Sequence, residues 1–276
     1  MCNCLGINHS VYYYHVKHTT NSYKESNREL DVEIKRIFEE SKRRYGSPKI
    51  TEILNKQGVK VSGKRVAKRM KLLGLRSITV KKFNHSGKSK IDETKEYHNL
   101  LEQNFYAEKP SQKWVGDITY IYTKETGWTY LAIVMDLFDL KVVGWSYSLF
   151  MTDELVIDAF HKALINRGLD KDGIFHSDRG SQYTSNDYEE LLSTLSIKHS
   201  YSKKGYPYDN ASMESFNAIL KKEEVNVNMY QTFEEAKLVI FEFIESWYNN
   251  KRIHSTLGYI TPNQKYNNYI TSLIVA

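Results

Sequence analysis

The spacing of apolar residues along the chain changes near residue 110. Before this point apolar side chains recur every three or four positions, which is the spacing of one face of a helix. The pattern predicts three helices, over residues 26–44, 48–58 and 62–74, bounded by Ser, Asn, Pro or Gly at positions that favour helix ends. The second and third helices are short and are joined by a turn that contains glycine, so they predict a helix-turn-helix.

After this point the apolar residues form alternating or continuous runs, which is the pattern of β-strands. Three aromatic and β-branched runs predict an antiparallel meander, over residues 114–122, 128–135 and 141–146. Helical segments then alternate with two predicted strands, at 173–175 and 198–201, and a long helix follows. This order predicts an α/β fold, a ribonuclease-H-like mixed five-stranded sheet flanked by helices and preceded by a small all-α helix-turn-helix domain.

These patterns divide the chain into five parts. The first is a short segment to which the sequence assigns no structure, and the third is a polar linker that ends in a weak helical pattern at residues 97–101. The predicted boundaries are 1–25 for the N-terminal segment, 26–75 for the helix-turn-helix domain, 76–105 for the linker, 106–268 for the α/β domain with its C-terminal helix, and 269–276 for the tail.

The positive charge of the chain is concentrated in one segment. The formal net charge is +6, and residues 53–91 contain twelve of the 39 Lys and Arg residues and no Asp or Glu. A surface that contacts DNA phosphates requires such a segment, although a helical bundle with a charged exterior has the same composition. Five basic residues on the predicted outer face of the third helix are the candidate DNA contacts: Lys64, Arg65, Lys68, Arg69 and Lys71.

Composition excludes several other classes of protein. Hydrophobic residues make up 41% of the chain and charged residues 26%, as in ordinary globular proteins. No apolar run approaches the roughly 20 residues of a membrane helix, and the N-terminus lacks the pattern of a secretory signal. The two cysteines, both within the first four residues, form neither a disulfide framework nor a four-ligand zinc site. We therefore expect a cytoplasmic protein without membrane association.

Three carboxylates stand out in the α/β domain. Asp117 lies in an otherwise apolar strand, where an unpaired carboxylate is costly. Asp178 follows a buried strand, at the edge where open α/β sheets bind ligands, and thirty-five residues separate it from Glu214 on a predicted helix. Carboxylates that converge repel one another unless a cation neutralises them, and Mg²⁺ prefers such oxygen ligands. The three residues therefore predict a site for two Mg²⁺ ions, an arrangement suited to displacement at phosphorus.

Neighbouring residues have both a functional and a structural interpretation. Lys221 lies two helical turns after Glu214, where it can contact a phosphate or face solvent. Asn210 shares that helix face and can serve as a cap, and His176 is more typical of the wall of a site than of a ligand. The remaining acids of the domain lie in predicted turns and are interpreted as structural: Asp136, Asp139 and Asp172.

Four ordered blocks of sequence resemble the motifs of one family, the insertion-sequence transposases related to retroviral integrases. The blocks run from Trp114 to Tyr120, from His176 to Tyr183, from Tyr208 to Phe216 and from Trp247 to Pro262. The spacing between the second and third acids and the basic residue seven positions after the third also agree with this family. In particular, the chain resembles OrfB, the downstream product of elements that encode their transposase in two overlapping frames.

The resemblance implies a DDE transposase with an integrase-type catalytic core, which performs Mg²⁺-dependent DNA 3′-end cleavage and strand transfer without a covalent enzyme–DNA intermediate. Asp117, Asp178 and Glu214 would be the catalytic residues and would hold two Mg²⁺ ions, or Mn²⁺ in their place, while Lys221 and Arg252 would contact DNA. The implied partners are transposon-end and target DNA, the upstream OrfA product or a fusion with it, and further copies of this chain on DNA. The implied location is the bacterial cytoplasm, at the nucleoid.

Two other functions stay open. A DNA-binding regulator without catalysis would need only the basic segment, and a ribonuclease-H-like nuclease would share the fold and the acids but stop after cleavage. The joining of a cleaved end to a target distinguishes a transposase from both.

Overall fold

The chain forms two compact units, Met1–Val80 and Lys81–Ala276. A computed structural model describes residues 2, 6–17, 22–78, 97–203 and 207–275. The division between the units falls within the predicted linker, of which residues 79–96 lie outside the described part.

The helices of the first unit are α1 (His9–Lys17), α2 (Ser22–Glu40), α3 (Ser47–Lys56) and α4 (Gly63–Leu72). The three helices predicted from the sequence correspond to α2, α3 and α4. The Ser62 side chain accepts a hydrogen bond from the Arg65 backbone N–H and caps α4, and Pro48 lies in the first turn of α3. The predicted end of α2 was four residues too late, because Lys42 and Arg43 adopt left-handed backbone angles that do not continue a helix.

The core of the first unit is formed by the apolar faces of α2, α3 and α4. Its buried side chains are Leu30, Ile34, Ile37, Phe38, Ile50, Leu54, Val66 and Met70. Burying a side chain of this size contributes roughly 1.5–3 kcal/mol, so these eight residues are the main stabilising contacts of a small helical domain.

Of the five basic residues predicted to lie on the outer face of α4, three are exposed and two are half-buried. Arg65 donates to Asn27, with 3.0 Å between Nη2 and Oδ1, and Arg69 donates to Asp31, with 2.7 Å between Nε and Oδ1. Both arginines are half-buried, because their long side chains turn back to polar partners on α2. The three exposed residues are Lys64, Lys68 and Lys71.

The second unit contains a mixed five-stranded sheet, which confirms the predicted fold class. Its strands are β1 (Lys113–Thr123), β2 (Gly127–Asp136), β3 (Val142–Ser148), β4 (Ile174–Ser177) and β5 (Lys198–Tyr201). Their order in the sheet is β3-β2-β1-β4-β5. The pairs β1–β2 and β2–β3 are antiparallel, as the meander predicted, whereas β1–β4 and β4–β5 are parallel. This strand order and its mixed directions are those of a ribonuclease-H-like sheet.

Helices flank this sheet. They are α5 (Asp153–Asn166), α6 (Asn186–Thr194), α7 (Ala211–Leu220), α8 (Phe233–Phe241) and α9 (Pro262–Val275). A 3₁₀ turn, Pro207–Asn210, leads into α7, and π-helical segments continue α7 over Lys221–Val225 and α8 over Glu242–Tyr248. The core between the sheet and α5 and α6 includes Trp114, Phe160, Phe175 and Tyr188, which contact one another mostly edge to face.

Two expectations for the ends of this unit differ from the structure. Residues 97–101 form an irregular segment rather than the helix that their weak pattern predicted, since the Ser200 hydroxyl accepts hydrogen bonds from the backbone N–H groups of Leu100 and Leu101. Residues 269–275, predicted as a tail, continue α9. No helix in the described part of the chain is both long and apolar enough to cross a membrane.

Candidate active site

Asp117 and Asp178 lie side by side at the end of β4. The parallel pairing of β1 with β4 joins Lys113 to Ile174 and Val115 to His176. The same register, carried two positions further, places Asp117 beside Asp178. Neighbouring strands are about 4.8 Å apart and paired residues point to the same face, so the two carboxyl groups are neighbours.

The Asp117 carboxyl is half-buried and close to three polar groups. Asn217 of α7 donates a hydrogen bond to it, with 2.6 Å between Nδ2 and Oδ2. Burial raises the pKa of Asp117 to about 7, and the negative charge of Asp178 acts in the same direction. The bond from Asn217 and the positive charge of Lys221 oppose this rise. The site therefore holds a carboxylate whose charge lacks full compensation.

Asp178 lies on the turn that follows β4. Its side chain is open to solvent on one side, while the surrounding protein raises its pKa through desolvation. The backbone N–H of Gly180 donates to Asp178 Oδ1 at 3.0 Å and partly offsets the rise. A Cβ atom at Gly180 would lie 3.0 Å from the same oxygen, so the absence of a side chain there lets the loop fold tightly around the carboxyl group.

Glu214 lies on α7 between two residues that bind β1. Asn210, four positions earlier, donates to the backbone carbonyl of Gly116 at 3.3 Å, and Asn217, three positions later, binds Asp117. Residues three or four positions apart lie on the same face of a helix, so Glu214 is on the face of α7 that contacts β1. Its side chain, however, is exposed. In the described ranges, no three His, Cys, Asp or Glu side chains are grouped closely enough to hold a metal ion.

The structure thus brings two of the three predicted carboxylates together and leaves the third on an adjacent helix. The charge of Lys221, two helical turns after Glu214, lowers the pKa of Asp117. Sequence analysis missed Asn217, although its spacing of three from Glu214 placed it on the same face. It also missed Gly116, where a Cβ atom would lie 2.5 Å from Phe175 Cζ, so that only glycine fits.

His176 is a structural residue, in agreement with the interpretation from the sequence. Its imidazole is fully buried and hydrogen bonds to two hydroxyl groups, at 2.8 Å from Nδ1 to Ser200 and at 3.0 Å from Nε2 to Ser202. Burial lowers the pKa of His176 to about 4, so the ring is neutral near pH 7. A neutral ring with both nitrogens bonded to β5 and the segment after it fixes the position of the turn that carries Asp178.

The competing acids are also structural. Arg167 lies between Asp136 and Asp139, with Nη1 at 3.0 Å from Asp136 Oδ2 and at 2.7 Å from Asp139 Oδ2, and the three side chains are buried. Asp172 is exposed and lies 3.6 Å from the Lys198 ammonium. The first group is a buried ion-pair cluster, in which each carboxylate is also bound by backbone N–H groups.

Arg252, which was predicted to contact DNA, has a buried guanidinium in this structure. Arg252 donates to Glu223 through Nη2 at 2.8 Å and through Nε at 3.0 Å, and the Trp247 indole donates to the same carboxylate at 3.0 Å. Sequence analysis could not identify Glu223 as the partner, since 28 residues separate the two. The last of the four sequence blocks therefore anchors the C-terminal segment to the helix that carries Glu214.

Comparison with known proteins adds independent evidence. An HTH-like domain model matches residues 24–83, and two integrase core domain models match residues 107–207 and 195–262. The chain is 43% identical over 244 residues to the transposase for insertion sequence element IS904 of Lactococcus lactis subsp. lactis (strain IL1403), covering 86% of this chain and 94% of that protein. It is 39% identical over 266 residues to transposase InsF for insertion sequence IS3A of Escherichia coli (strain K12), covering 96% and 92%.

Solved structures that resemble the chain are more distant. The HTLV-2 integrase catalytic core domain in complex with magnesium (trimeric form) has a TM-score of 0.45 and 19% identity, and the match covers 58% of this chain and 99% of that chain. A chain from the structure of the simian T-cell lymphotropic virus intasome in complex with PP2A regulatory subunit B56 gamma has a TM-score of 0.48 and 17% identity, and the match covers 78% of this chain and 70% of that chain.

Proposed function

The chain belongs to the insertion-sequence transposases that include those of IS904 and IS3, and on this premise we propose which of its residues perform transposition. Its HTH-like domain and integrase core domain agree with a DNA transposase, which is a polynucleotidyl transferase. The proposed reaction is DNA 3′-end cleavage at the element end, followed by attack of the freed 3′-hydroxyl on a target phosphodiester. Asp117, Asp178 and Glu214 are the proposed catalytic residues.

The side chains at this site fit a divalent cation. Asp117 and Asp178 supply adjacent carboxylate oxygens, and a cation between them would remove the repulsion that contributes to the raised pKa of Asp117. Mg²⁺ commonly binds through one or two carboxylates together with water and substrate phosphates, so these two aspartates suffice for one ion. Glu214 is the proposed third carboxylate, for a second Mg²⁺, and Mn²⁺ is the proposed substitute. When bound, the ions would activate the attacking oxygen and stabilise the leaving oxygen.

The other residues of the site have positioning roles in this proposal. Asn217 holds the Asp117 carboxyl through its side-chain amide, and the Gly180 N–H holds that of Asp178. Lys221 supplies a positive charge next to Asp117, where it can bind a DNA phosphate without taking part in the chemistry. In-line attack on a phosphodiester requires carboxylates in fixed positions and a positively charged side chain that holds the phosphate.

DNA binding by the first unit is the second part of the proposal. Lys64, Lys68 and Lys71 are exposed along one helix of the helix-turn-helix and are the proposed phosphate contacts. Arg65 and Arg69, which bind α2, contribute by holding that helix in place. Synapsis of two DNA ends requires at least two copies of a transposase. We therefore propose a homo-oligomer on DNA that acts with an upstream OrfA product or as a fusion to it.

A single observation supports the proposal: the parallel register of β1 and β4 ends at the pair Val115 and His176, and two positions further on it would bring Asp117 opposite Asp178. The test is a strand-transfer assay with Mg²⁺, DNA that carries the element end, and a target plasmid, using the chain alone and fused to the upstream frame. We expect joined products from the active form and none after Asp117→Asn or Glu214→Gln. Asp172→Asn, an exposed acid outside the site, is the matched control and should leave the yield unchanged.

The products also separate the alternatives. Cleaved ends that are never joined would identify a nuclease, and binding of the element end without any cleavage would identify a regulator. Joined products from Asp117→Asn would show that the catalytic residues are assigned wrongly.

A further inference from the structure

Two residues at the start of α7 attach this helix to distant parts of the chain. Asn210 occupies the cap position, yet its side chain caps no described backbone N–H and instead donates to the Gly116 carbonyl at 3.3 Å. Asp209, the residue before it, is 1% exposed and binds groups outside the helix. A helix end without a local cap depends on such long-range contacts. The placement of Glu214, about one turn further on, therefore depends on Asp209 and Asn210.

The Asp209 carboxylate accepts three hydrogen bonds. Its Oδ1 accepts from the Gln103 side-chain amide at 2.9 Å. Its Oδ2 accepts from the Asn99 side-chain amide at 3.0 Å and from the backbone N–H of Lys203 at 2.8 Å. Burial opposes the negative charge of Asp209, but these three bonds, with that from Lys203 the strongest, keep its pKa below the usual value. The start of α7 therefore carries a negative charge that is held by donors from two other segments.

The two side-chain amides belong to a segment that is itself fixed to the sheet. This segment, residues 97–103, runs beside β5, the last strand in the sheet order, and we call it the edge segment. The Tyr201 backbone N–H donates to the His98 carbonyl at 2.9 Å. The Ser200 hydroxyl accepts from the backbone N–H of Leu101 at 3.1 Å, and the Leu101 side chain is buried. The edge segment is therefore a firm support for the groups that it binds.

The edge segment supports both elements that lie beside Asp117 in the candidate active site. Ser200, which accepts its backbone N–H groups, also hydrogen bonds to the buried His176 ring at 2.8 Å, two positions before Asp178. Asp209, which accepts its side-chain amides, lies five positions before Glu214. One segment thus holds the turn that follows β4 and the start of α7 in a fixed relation.

We propose that Gln103 and Asn99 are positioning residues of the active site, which act through Asp209 to set α7, and with it Glu214, relative to the two aspartates. This inference rests on the proposed function, because it takes Glu214 to be the third carboxylate. Asn217 attaches α7 to β1, and Asp209 adds an attachment on the β5 side of the sheet. A helix held at both places cannot tilt, and phosphoryl transfer depends on such fixed geometry.

The test replaces a donor by an acceptor at an exposed position. Gln103→Glu sets a second carboxylate against Asp209, and the two repel. Gln103 is exposed and borders a cavity of about 560 Å³, so the new side chain can turn aside without disturbing the core. Asn104→Asp adds the same charge at the next exposed position and is the matched control. Gln103→Glu combined with Asp209→Asn reverses donor and acceptor and should restore the bond.

The first measurement is amide hydrogen exchange, followed by mass spectrometry on the full chain without metal or DNA. Gln103→Glu should exchange about tenfold faster in the first turns of α7, since it removes a hydrogen bond to a charged group. Exchange in β2, which lies on the far side of β1, should stay unchanged and shows that the fold is intact. Asn104→Asp and the double variant should exchange as the wild type does.

The second measurement is strand transfer at saturating DNA and Mg²⁺. Gln103→Glu should lower the rate by about tenfold to a hundredfold with unchanged DNA affinity, because a displacement of about 1 Å at a reacting group can cost a hundredfold. The double variant should recover most of the rate, and Asn104→Asp should keep all of it. Recovery in the double variant would distinguish a lost contact from an effect of added charge.

Three outcomes would overturn the inference. They are unchanged exchange of α7 in Gln103→Glu, faster exchange with an unchanged rate of strand transfer, and an equal loss of rate in Asn104→Asp. A wild type that joins no DNA, alone or fused to the upstream frame, would instead contradict the proposed function. The exchange measurement needs neither DNA nor metal, so the attachment of α7 is tested in either case.

Discussion

Asn217 on α7 donates a hydrogen bond to Asp117 on β1, with 2.6 Å between the amide nitrogen and the carboxylate oxygen. The bond connects the helix that carries Glu214 to the strand that carries the first aspartate. It also lowers the pKa of Asp117 against the larger effect of burial.

Asn217→Leu should reduce strand transfer by about tenfold to a hundredfold, the usual loss when a residue that orients a metal-binding carboxylate is removed. Because the lost hydrogen bond stabilised the charged form of Asp117, the pH at which activity appears should also rise. The measurement is a pH–rate profile at fixed Mg²⁺. Ser215→Ala, an exposed substitution on the same helix, should change neither quantity. A lower rate with an unshifted profile would show that Asn217 acts only in folding.

Asp117 should make the metal-free protein less stable as the pH rises. The folded carboxyl keeps its proton up to a pKa of about 7, whereas the unfolded one loses it near 4. Between these values the folded state binds more protons, so the free energy of unfolding falls with increasing pH. Asp117→Asn should therefore stabilise the protein at pH 8 by about 1–4 kcal/mol and have little effect at pH 4.

Urea unfolding at the two pH values in the presence of EDTA measures this difference. Asp172→Asn should show no pH-dependent change, because Asp172 is exposed. Mg²⁺ should raise the stability of the wild type at pH 8 and leave that of Asp117→Asn nearly unchanged. An equal gain from Mg²⁺ in both proteins would place its binding elsewhere.

Arg252→Ala should destabilise the protein by about 3–5 kcal/mol, because the Glu223 carboxylate would remain buried without the positive charge that neutralises it. Lys171→Ala, an exposed basic residue in the same unit, should cost less than about 0.5 kcal/mol. The double variant Arg252→Met with Glu223→Met removes both charges and should recover most of the lost stability. Thermal unfolding measures these effects. If the double variant is stable but binds DNA poorly, Arg252 contacts DNA after all.

The basic residues of α4 should divide into two classes. Lys64→Ala and Lys68→Ala should weaken DNA binding without loss of stability, and each should reduce the slope of log affinity against log salt by about 0.9. Arg69→Ala should instead destabilise the first unit by about 1–3 kcal/mol, since it leaves Asp31 without its partner. Binding isotherms at several salt concentrations, together with unfolding curves, separate the classes. An unchanged salt slope for both lysine variants would exclude them as phosphate contacts.

The features that depend on the local pattern of residues could be predicted from the sequence. The bounds of β5 agree with the alternation of its residues, and Ser62 caps α4 as its position before an apolar repeat indicated. The neighbouring positions of Asp117 and Asp178 follow from the same reasoning, since Asp178 comes directly after β4 and Asp117 lies within β1, whose first residues pair with β4 in parallel.

The features that were missed depend on contacts between distant parts of the chain. Arg252 and Arg69 have the sequence context of exposed cations, and only folding brings each to a carboxylate on another element. The exposed position of the Glu214 side chain is likewise a matter of rotamer and of the space beside α7. The spacing of hydrophobic residues contains no information on these ion pairs or on the exposure of the Glu214 side chain.

α7 and the π-helical segment after it form one unbroken helix from Ala211 to Val225. One end carries Glu214 and Asn217, of which Asn217 binds Asp117, and the other carries Glu223, which accepts hydrogen bonds from Arg252. Each added or deleted residue would rotate one end by about 100° relative to the other. Over the course of evolution this segment should therefore tolerate many exchanges of side chains but almost no change in its length.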